Sequence, residues 1–111
     1  MAEEQTTQHV ISLFRFRTRN LTPAQGEECS NIAERLMRIA SRMPGFVSHR
    51  QYKGDTDEVL RVVEFASAYE LEAWHKHPEH QEAQQRGRDE FYAEYQIVNC
   101  VVMNKHEYKH P

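Results

Sequence analysis

The chain has 111 residues, of which 39% are hydrophobic and 28% are charged, so it holds enough apolar surface for one compact domain. Fourteen basic and 17 acidic residues give a net charge of −3, which lacks the positive excess that binding to phosphate backbones requires. Nucleic acid is therefore not expected as the main partner. Because a domain of this size buries only about 60–70% of its unfolded surface, contacts between subunits would add to its stability.

The segment of residues 1–8 is a polar arm, which we expect to be flexible, with two glutamates and no apolar signal segment. The longest uninterrupted hydrophobic run, Cys100 to Met103, is too short to cross a membrane. We therefore expect a cytoplasmic protein without membrane contact. Cys29 and Cys100 lie far apart within apolar patterns, and we expect both to be reduced thiols in the core.

The first half of the chain predicts a strand followed by a long helix. Residues 9–17 are rich in β-branched and aromatic side chains, which favour a strand. Thr22 and Gln25 have the spacing of a capping box, which marks the start of a helix. Apolar residues at spacings of three and four then predict an amphipathic helix that ends at Pro44-Gly45.

The second half predicts a hairpin and then a broken helix. Residues 46–53 and 58–65 are expected to pair as antiparallel strands around a loop that contains Gly54. A second capping box at Ser67 begins a short helix that ends near residue 77, and Pro78 begins another helix that continues to about residue 90.

Residues 96–105 predict a fourth strand, and residues 106–111 form a polar tail. The order β-α-β-β-α-α-β is that of an α+β, ferredoxin-like split βαβ sandwich with a four-stranded antiparallel sheet. We expect one domain over residues 9–105.

Three of the predicted strands place apolar residues on both faces, whereas the helices can cover only one. In the first strand, for example, Val10 and Phe14 alternate with Ile11 and Leu13. A second copy packed on the free face is the simplest closure, because a two-fold axis uses the same patch twice. The pattern therefore predicts a homodimer.

The segment from Trp74 to His80 holds the only tryptophan and three of the seven histidines, at a break between helices. Imidazole exchanges protons near pH 7, and free N–H groups at a helix start can bind an anion. His80 and His77 are therefore candidate catalytic residues beside Trp74. The alternative is that Trp74 anchors the core and that the histidines are solvated or cap the helix. Their spacing matches no zinc signature, and we predict no metal site.

Candidate substrate-binding residues lie on the strands. Arg50 and Tyr52 share one face of the second strand and could orient a phenolate or carboxylate, although an exposed position at the sheet edge explains them as well. Asn99 is an amide in an apolar stretch and needs a partner, which a ligand or a neighbouring strand could provide. Phe14 on the first strand completes the candidate set. No phosphate loop or nucleophile elbow is present, so we predict neither a nucleotide nor a flavin.

Several segments together resemble the antibiotic biosynthesis monooxygenase (ABM) family of the dimeric α+β barrel superfamily, over about residues 9–105. They are Met43–Phe46, Val63–Phe65, Trp74, His77–His80, Gly87, Tyr92, Tyr95 and Val98–Cys100. The resemblance implies two ferredoxin-like subunits joined into an α+β barrel, with a pocket between sheet and helices in each. It also implies that O2 oxidises a hydroquinone or polyphenol in that pocket without flavin or metal.

The resemblance implies that Trp74 lines this pocket. By their chemistry, His80, or less directly His77, would be the base that removes a phenolic proton. Asn99, Arg50 or Tyr52 would then orient the oxyanion and peroxide intermediates.

Two alternative functions remain at this point. A second branch of the family binds and degrades haem through an Asn on the first strand, a Trp and a later His. Trp74 matches that set, but Ser12 and Phe14 stand where the Asn is expected and Gln84 stands where the His is expected. Haem could still bind through a histidine near the helix break. The other alternative is a non-catalytic dimer that binds a small ligand or assists a pathway enzyme, because a fold does not determine a function.

Overall fold

The computed structural model describes residues 8–111, so the predicted arm of residues 1–8 lies outside the described residues except for Gln8. The elements in chain order are β1 (Val10–Thr18), α1 (Pro23–Ala40), β2 (Phe46–Lys53), β3 (Val59–Phe65), α2 (Ala68–His75), α3 (Pro78–Arg86), a π-helical turn (Gly87–Phe91) and β4 (Tyr92–Val101). The four strands form an antiparallel sheet in the order β2-β3-β1-β4, with the helices on one of its faces. This arrangement confirms the α+β ferredoxin-like fold.

Local signals set the starts of the helices. The Thr22 hydroxyl accepts a hydrogen bond from the Gln25 amide at 3.1 Å, and the Gln25 side chain accepts one from the Thr22 amide at 2.9 Å. This confirms the predicted capping box of α1. Ser67 caps α2 by accepting from the Glu70 amide at 3.2 Å. After α1, Gly45 adopts a φ of +85°, which turns the chain directly into β2.

β4 begins at Tyr92, four residues before the predicted start at residue 96. Its length is set by its partner, because Thr18 at the end of β1 pairs with Tyr92 and Val10 at the start of β1 pairs with Val101. The π-helical turn leads straight into β4 without a loop. Gly87 permits this passage, since a Cβ there would collide with the Tyr92 ring.

The register gives the sheet a covered face and an open face. On β1, Val10, Ser12, Phe14 and Phe16 lie under the helices, and Ile11, Leu13 and Arg15 lie on the opposite face. The core therefore forms between the covered face and α1 and α2. Its buried members are Val10, Ala40, Val63, Phe65, Leu71 and Trp74.

The open face carries apolar residues that no helix within residues 8–111 covers, as predicted. It includes Leu13, Val62 and Val98, which lie side by side on three adjacent strands. Cys100 lies on this face opposite Ile11 and is exposed, so the expectation that both cysteines are core thiols is wrong for Cys100 in the single chain. Cys29 on α1 is half-buried.

Glu64 is buried at one end of the open face and joins both ends of the domain to β3. Its carboxylate lies 2.7 Å from His9 Nδ1 and accepts hydrogen bonds from Lys105 Nζ at 2.8 and 3.0 Å. Burial alone would raise the pKa of Glu64, but the hydrogen bonds from Lys105 and His9 outweigh burial and lower it. None of the helices within residues 8–111 has the length and hydropathy needed to span a bilayer.

Substituting alanine for two of the glycines should change the free energy of unfolding in opposite directions. Gly45→Ala should lower the free energy of unfolding by more than about 1 kcal/mol, because the φ is positive and the new Cβ would collide with the Glu70 side chain. Gly26→Ala, inside α1 with open space around it, should raise the free energy of unfolding by up to about 1 kcal/mol. Urea unfolding of both variants measures the two effects. Equal destabilisation by both substitutions would contradict this account.

Candidate functional site

A cavity lies between the covered face of the sheet and the helices, with about 770 Å³ of space that includes its open mouth. Most of its wall is apolar: Phe14, Ile32, Ala33, Leu36, Met37, Val63, Trp74, Ala83, Phe91 and Ile97. The polar contribution comes from Ser12, Cys29, Arg61, His75, His80, Gln84 and Tyr92. An apolar cavity with a few polar groups is typical of a small-molecule site.

Trp74 belongs to the core and to the cavity at once. It follows Leu71 by three residues on the buried side of α2, and only 2% of its surface is exposed. Its indole lies 4.5 Å from the His80 imidazole, measured between ring centroids, with the planes tilted by 45°. Trp74 is therefore both a core residue and a residue of the cavity wall, which were the two alternatives considered from the sequence.

His80 on α3 stacks on His75, which is the last residue of α2. Their ring centroids are 5.4 Å apart and their planes differ by 19°. His80 Nδ1 lies 3.4 Å from the backbone carbonyl oxygen of His75. Because a carbonyl can only accept, a proton sits on Nδ1 in this contact, and the Nε2 of neutral His80 is left as an acceptor.

Burial keeps both imidazoles neutral. The pKa of His80 is lowered to about 4, chiefly by burial and then by the neighbouring His75, whereas the hydrogen bond to the His75 carbonyl opposes this shift. The pKa of His75 is lowered as well, chiefly by burial. At neutral pH both imidazoles in the cavity are therefore uncharged, and the Nε2 of His80 has a lone pair that can accept a hydrogen bond.

His77 has a structural contact and does not line the cavity. It is the N-cap residue of α3, where its Nδ1 accepts a hydrogen bond from the Glu79 amide at 3.1 Å. This is the helix-capping alternative considered for the histidines. The structure thus places His80, but not His77, where a bound molecule would be.

Of the four candidate substrate-binding residues, only Phe14 lines the cavity. Arg50 and Tyr52 lie on the open face, because His49 pairs with Val63 of the covered face. A role for Arg50 or Tyr52 in the cavity of the same chain is therefore not supported. β2 has polar residues on both faces, so its alternation alone did not show which face meets the helices.

Asn99 shares the covered face with its partner Ser12, but it is exposed and lies outside the cavity wall. Asn99 is on β4, one of the two edge strands of the sheet, where solvent reaches the side chain. The polar contacts expected of a buried amide are therefore not required at this position.

Tyr92 is a further cavity residue, which was named from the sequence only among the segments that resemble the ABM family. It contacts three aromatic neighbours, with centroid distances of 4.9 Å to Phe16, 5.5 Å to Phe14 and 5.9 Å to Tyr95. Burial raises the pKa of its hydroxyl, so Tyr92 stays protonated at neutral pH. His75 and Arg61 are two more cavity residues that were not predicted from the sequence. The signal for Arg61 was a charge at a core-facing position of β3, between Val59 and Val63.

The cavity does not fit the haem arrangement of the second branch of the family. Gln84 lines the wall where that branch has its histidine, and Ser12 lies on β1 where that branch has an asparagine. The two imidazoles that are present stack on each other, and one Nδ1 contacts a backbone carbonyl. Within residues 8–111, no three His, Cys, Asp or Glu side chains are grouped as a metal site would need.

A ferredoxin-like sheet with a cavity under its helices, lined by a tryptophan and two histidines, defines a small α+β protein. A family model described as antibiotic biosynthesis monooxygenase matches residues 12–86, and the chain belongs to this ABM family. Comparison with curated proteins gave no significant match.

Solved structures share the fold at low sequence identity. Rv0793 from Mycobacterium tuberculosis has a TM-score of 0.74 at 13% identity, covering 89% of this chain and 99% of its own. SnoaB, a cofactor-independent oxygenase from Streptomyces nogalater, has a TM-score of 0.66 at 16% identity, covering 91% and 97%. A dimeric ferredoxin-like protein of unknown function from Thermobifida fusca has a TM-score of 0.70 at 16% identity, covering 86% and 92%.

The lowered pKa of His80 predicts a pH-dependent stability. In the unfolded chain His80 gains a proton below about pH 6.5, whereas in the folded chain it gains one only near pH 4. The free energy of unfolding should therefore fall as the pH drops from about 6.5 to 4, by up to about 3 kcal/mol from this residue. Urea unfolding at several pH values should show a shallower fall for His80→Gln. An unchanged slope in that variant, with His106→Gln in the exposed tail as the control, would contradict the assignment.

Proposed function

We propose that this protein is a cofactor-independent monooxygenase that oxidises a small, electron-rich aromatic molecule, a hydroquinone or polyphenol, with O2. The observation that carries this proposal is the contact between Trp74 and a neutral His80 inside an apolar cavity. Membership of the ABM family and the fold shared with an oxygenase support it. Nothing in this chemistry requires a bound electron carrier, because the substrate itself is electron-rich.

The reaction balances without an external reductant. A hydroquinone and O2 give a hydroxyquinone and water: one oxygen atom forms a bond to the ring and the other leaves as water. All four electrons come from the substrate. The protein then has to bind the ring, remove a phenolic proton and keep water away from the charged intermediates.

The residues of the cavity can meet these requirements. Trp74 and Phe14 offer aromatic surfaces against which a substrate ring can pack. His80 Nε2 would accept the phenolic proton, while the contact of Nδ1 with the His75 carbonyl holds the imidazole in that tautomer. The phenolate formed in this way is a stronger electron donor to O2 than the phenol.

An oxygen electrode tests the proposal with metal-stripped protein, a panel of hydroquinones and boiled protein as the blank. We expect oxygen uptake above autoxidation, and a decrease of about 100-fold or more for His80→Gln, because a positioned base contributes about 10²–10⁴-fold. Trp74→Phe should also be slower. His77→Asn is the matched control, since Asn is a strong N-cap and His77 lies outside the cavity. Absence of uptake by the wild-type protein would refute the proposal.

The same preparations separate the alternatives. A Soret band after titration with hemin, lost in His80→Gln, would favour the haem-binding alternative. Thermal stabilisation by hydroquinones without oxygen uptake would identify a non-catalytic binding protein.

We also propose that two chains form a homodimer through their open faces. The uncovered row Val62, Leu13 and Val98 supplies an apolar patch, of which Val98 is 41% exposed. A two-fold axis would bury this patch against itself. A structural neighbour with the same fold is described as dimeric, which supports the proposal.

Light scattering at micromolar concentration should give the mass of two chains. Leu13→Glu should give the mass of one chain, because the two-fold axis would place a pair of new charges in the apolar interface. Tyr69→Glu is the matched control, since Tyr69 is 81% exposed on α2, away from the open face. A wild-type monomer, or a Leu13→Glu variant that remains dimeric, would contradict the proposed interface.

A further inference from the structure

Among the residues that the structure describes, Arg61 is the only Arg, Lys, Asp or Glu in the cavity wall. Three arginines among residues 8–111 are half-buried, and two of them are paired: Arg15 with Glu58, and Arg86 with Glu28 and Glu90. Arg61 has no carboxylate within ion-pair distance among the residues that the structure describes. Its contacts are with neutral groups.

These neutral contacts hold the guanidinium in place without neutralising it. Nε donates a hydrogen bond to Gln51 Oε1 at 2.9 Å. The guanidinium carbon lies 4.8 Å from the centroid of the Phe16 ring. A partly buried cation that is positioned by an amide and an aromatic ring keeps free N–H groups for an anion.

The positive charge of Arg61 affects the pKa of three groups on other elements, which lie around it on the covered side of the sheet. Burial raises the pKa of Cys29 on α1 and of Tyr92 on β4, and the charge of Arg61 opposes both shifts. Burial lowers the pKa of His49 on β2, and the charge of Arg61 lowers it further. No group among these carries a negative charge at neutral pH.

We propose that Arg61 binds a carboxylate of the substrate, so that the preferred substrates are aromatic acids: hydroquinones or polyphenols with a carboxylate on the ring. The planar guanidinium matches the two oxygens of a carboxylate, and a partly desolvated cation gains from such a partner. Arg61 belongs to the sheet wall and His80 to the helix wall of the same cavity. A carboxylate at Arg61 would orient the ring between these walls. The identity of the reaction rests on the proposed function, but the preference for an acid is a binding property.

Isothermal titration calorimetry under nitrogen tests the preference without turnover. The probes are 2,5-dihydroxybenzoate and 2,5-dihydroxybenzyl alcohol, which differ in the carboxylate alone. For the wild-type protein we expect the acid to bind at least about tenfold more tightly than the alcohol. Arg61→Gln should remove this difference in affinity, because the substitution weakens binding of the acid and leaves binding of the alcohol unchanged. Arg61→Lys should retain part of it, because the charge remains and the planar fork is lost.

Arg42→Gln is the matched control. Arg42 is an exposed arginine just beyond the end of α1, and it has no side-chain hydrogen bond or ion pair within residues 8–111. Equal wild-type affinities for the two probes, or an unchanged acid preference in Arg61→Gln, would overturn the inference. If Arg61→Gln does not fold, the inference is tested by the wild-type affinities for the two probes and by the acid preference that Arg61→Lys retains.

The inference and the proposed function fail in different experiments. Preferential binding of the acid without oxygen uptake would keep the assignment of Arg61 and overturn the monooxygenase. Oxygen uptake with both probes, together with equal affinities, would keep the monooxygenase and overturn the preference for acids. If Arg61→Gln slows oxidation of the alcohol with no acid preference in the wild type, the guanidinium serves the phenolate, and the proposed substrate class is wrong.

Discussion

The burial of Trp74 between the sheet and the helices is the contact on which both the core and the cavity depend. On one side of α2, Leu71 and Trp74 belong to the same buried cluster as Val63 and Phe65, and α2 ends one residue after Trp74. Removing a buried aromatic side chain costs about 3–5 kcal/mol, so α2 cannot leave this position cheaply. Because His80 follows the break, its distance from the indole is set by the same packing. Stability and site geometry are therefore not independent.

The fold was predictable where the signals are local. The caps at Thr22 and Ser67 involve residues three positions apart: the full capping box forms at Thr22, whereas at Ser67 the N-cap bond forms and the Glu70 carboxylate accepts from the Ser67 hydroxyl in place of its backbone amide. The predicted start of β4 was wrong because the length of a strand depends on its partner. β1 continues to Thr18, and Thr18 pairs with Tyr92. β2 could not be oriented from its sequence, since polar side chains occupy both faces and only the pairing of His49 with Val63 decides between them.

The candidate site was predictable in part for the same reason. Trp74 and His80 are close in sequence and meet across one helix break, so their neighbourhood was visible in the chain. His75 was harder to place, because its stacking on His80 depends on the angle of that break. Arg61 is distant in sequence and reaches the cavity through the sheet register. Its charge interrupts an apolar strand, which was the one available sign.

The alternation along β1 has a consequence for how the protein can evolve. Phe14 contacts the cavity while its neighbour Leu13 is on the open face, and Ile97 and Val98 repeat this arrangement on β4. A shift of either strand by one residue would exchange the two faces. Insertions and deletions within these strands would therefore damage the cavity and the outer surface together. Point substitutions can alter one face while sparing the other, so the cavity and the outer surface of the sheet are separable by side-chain exchange but not by changes in strand length.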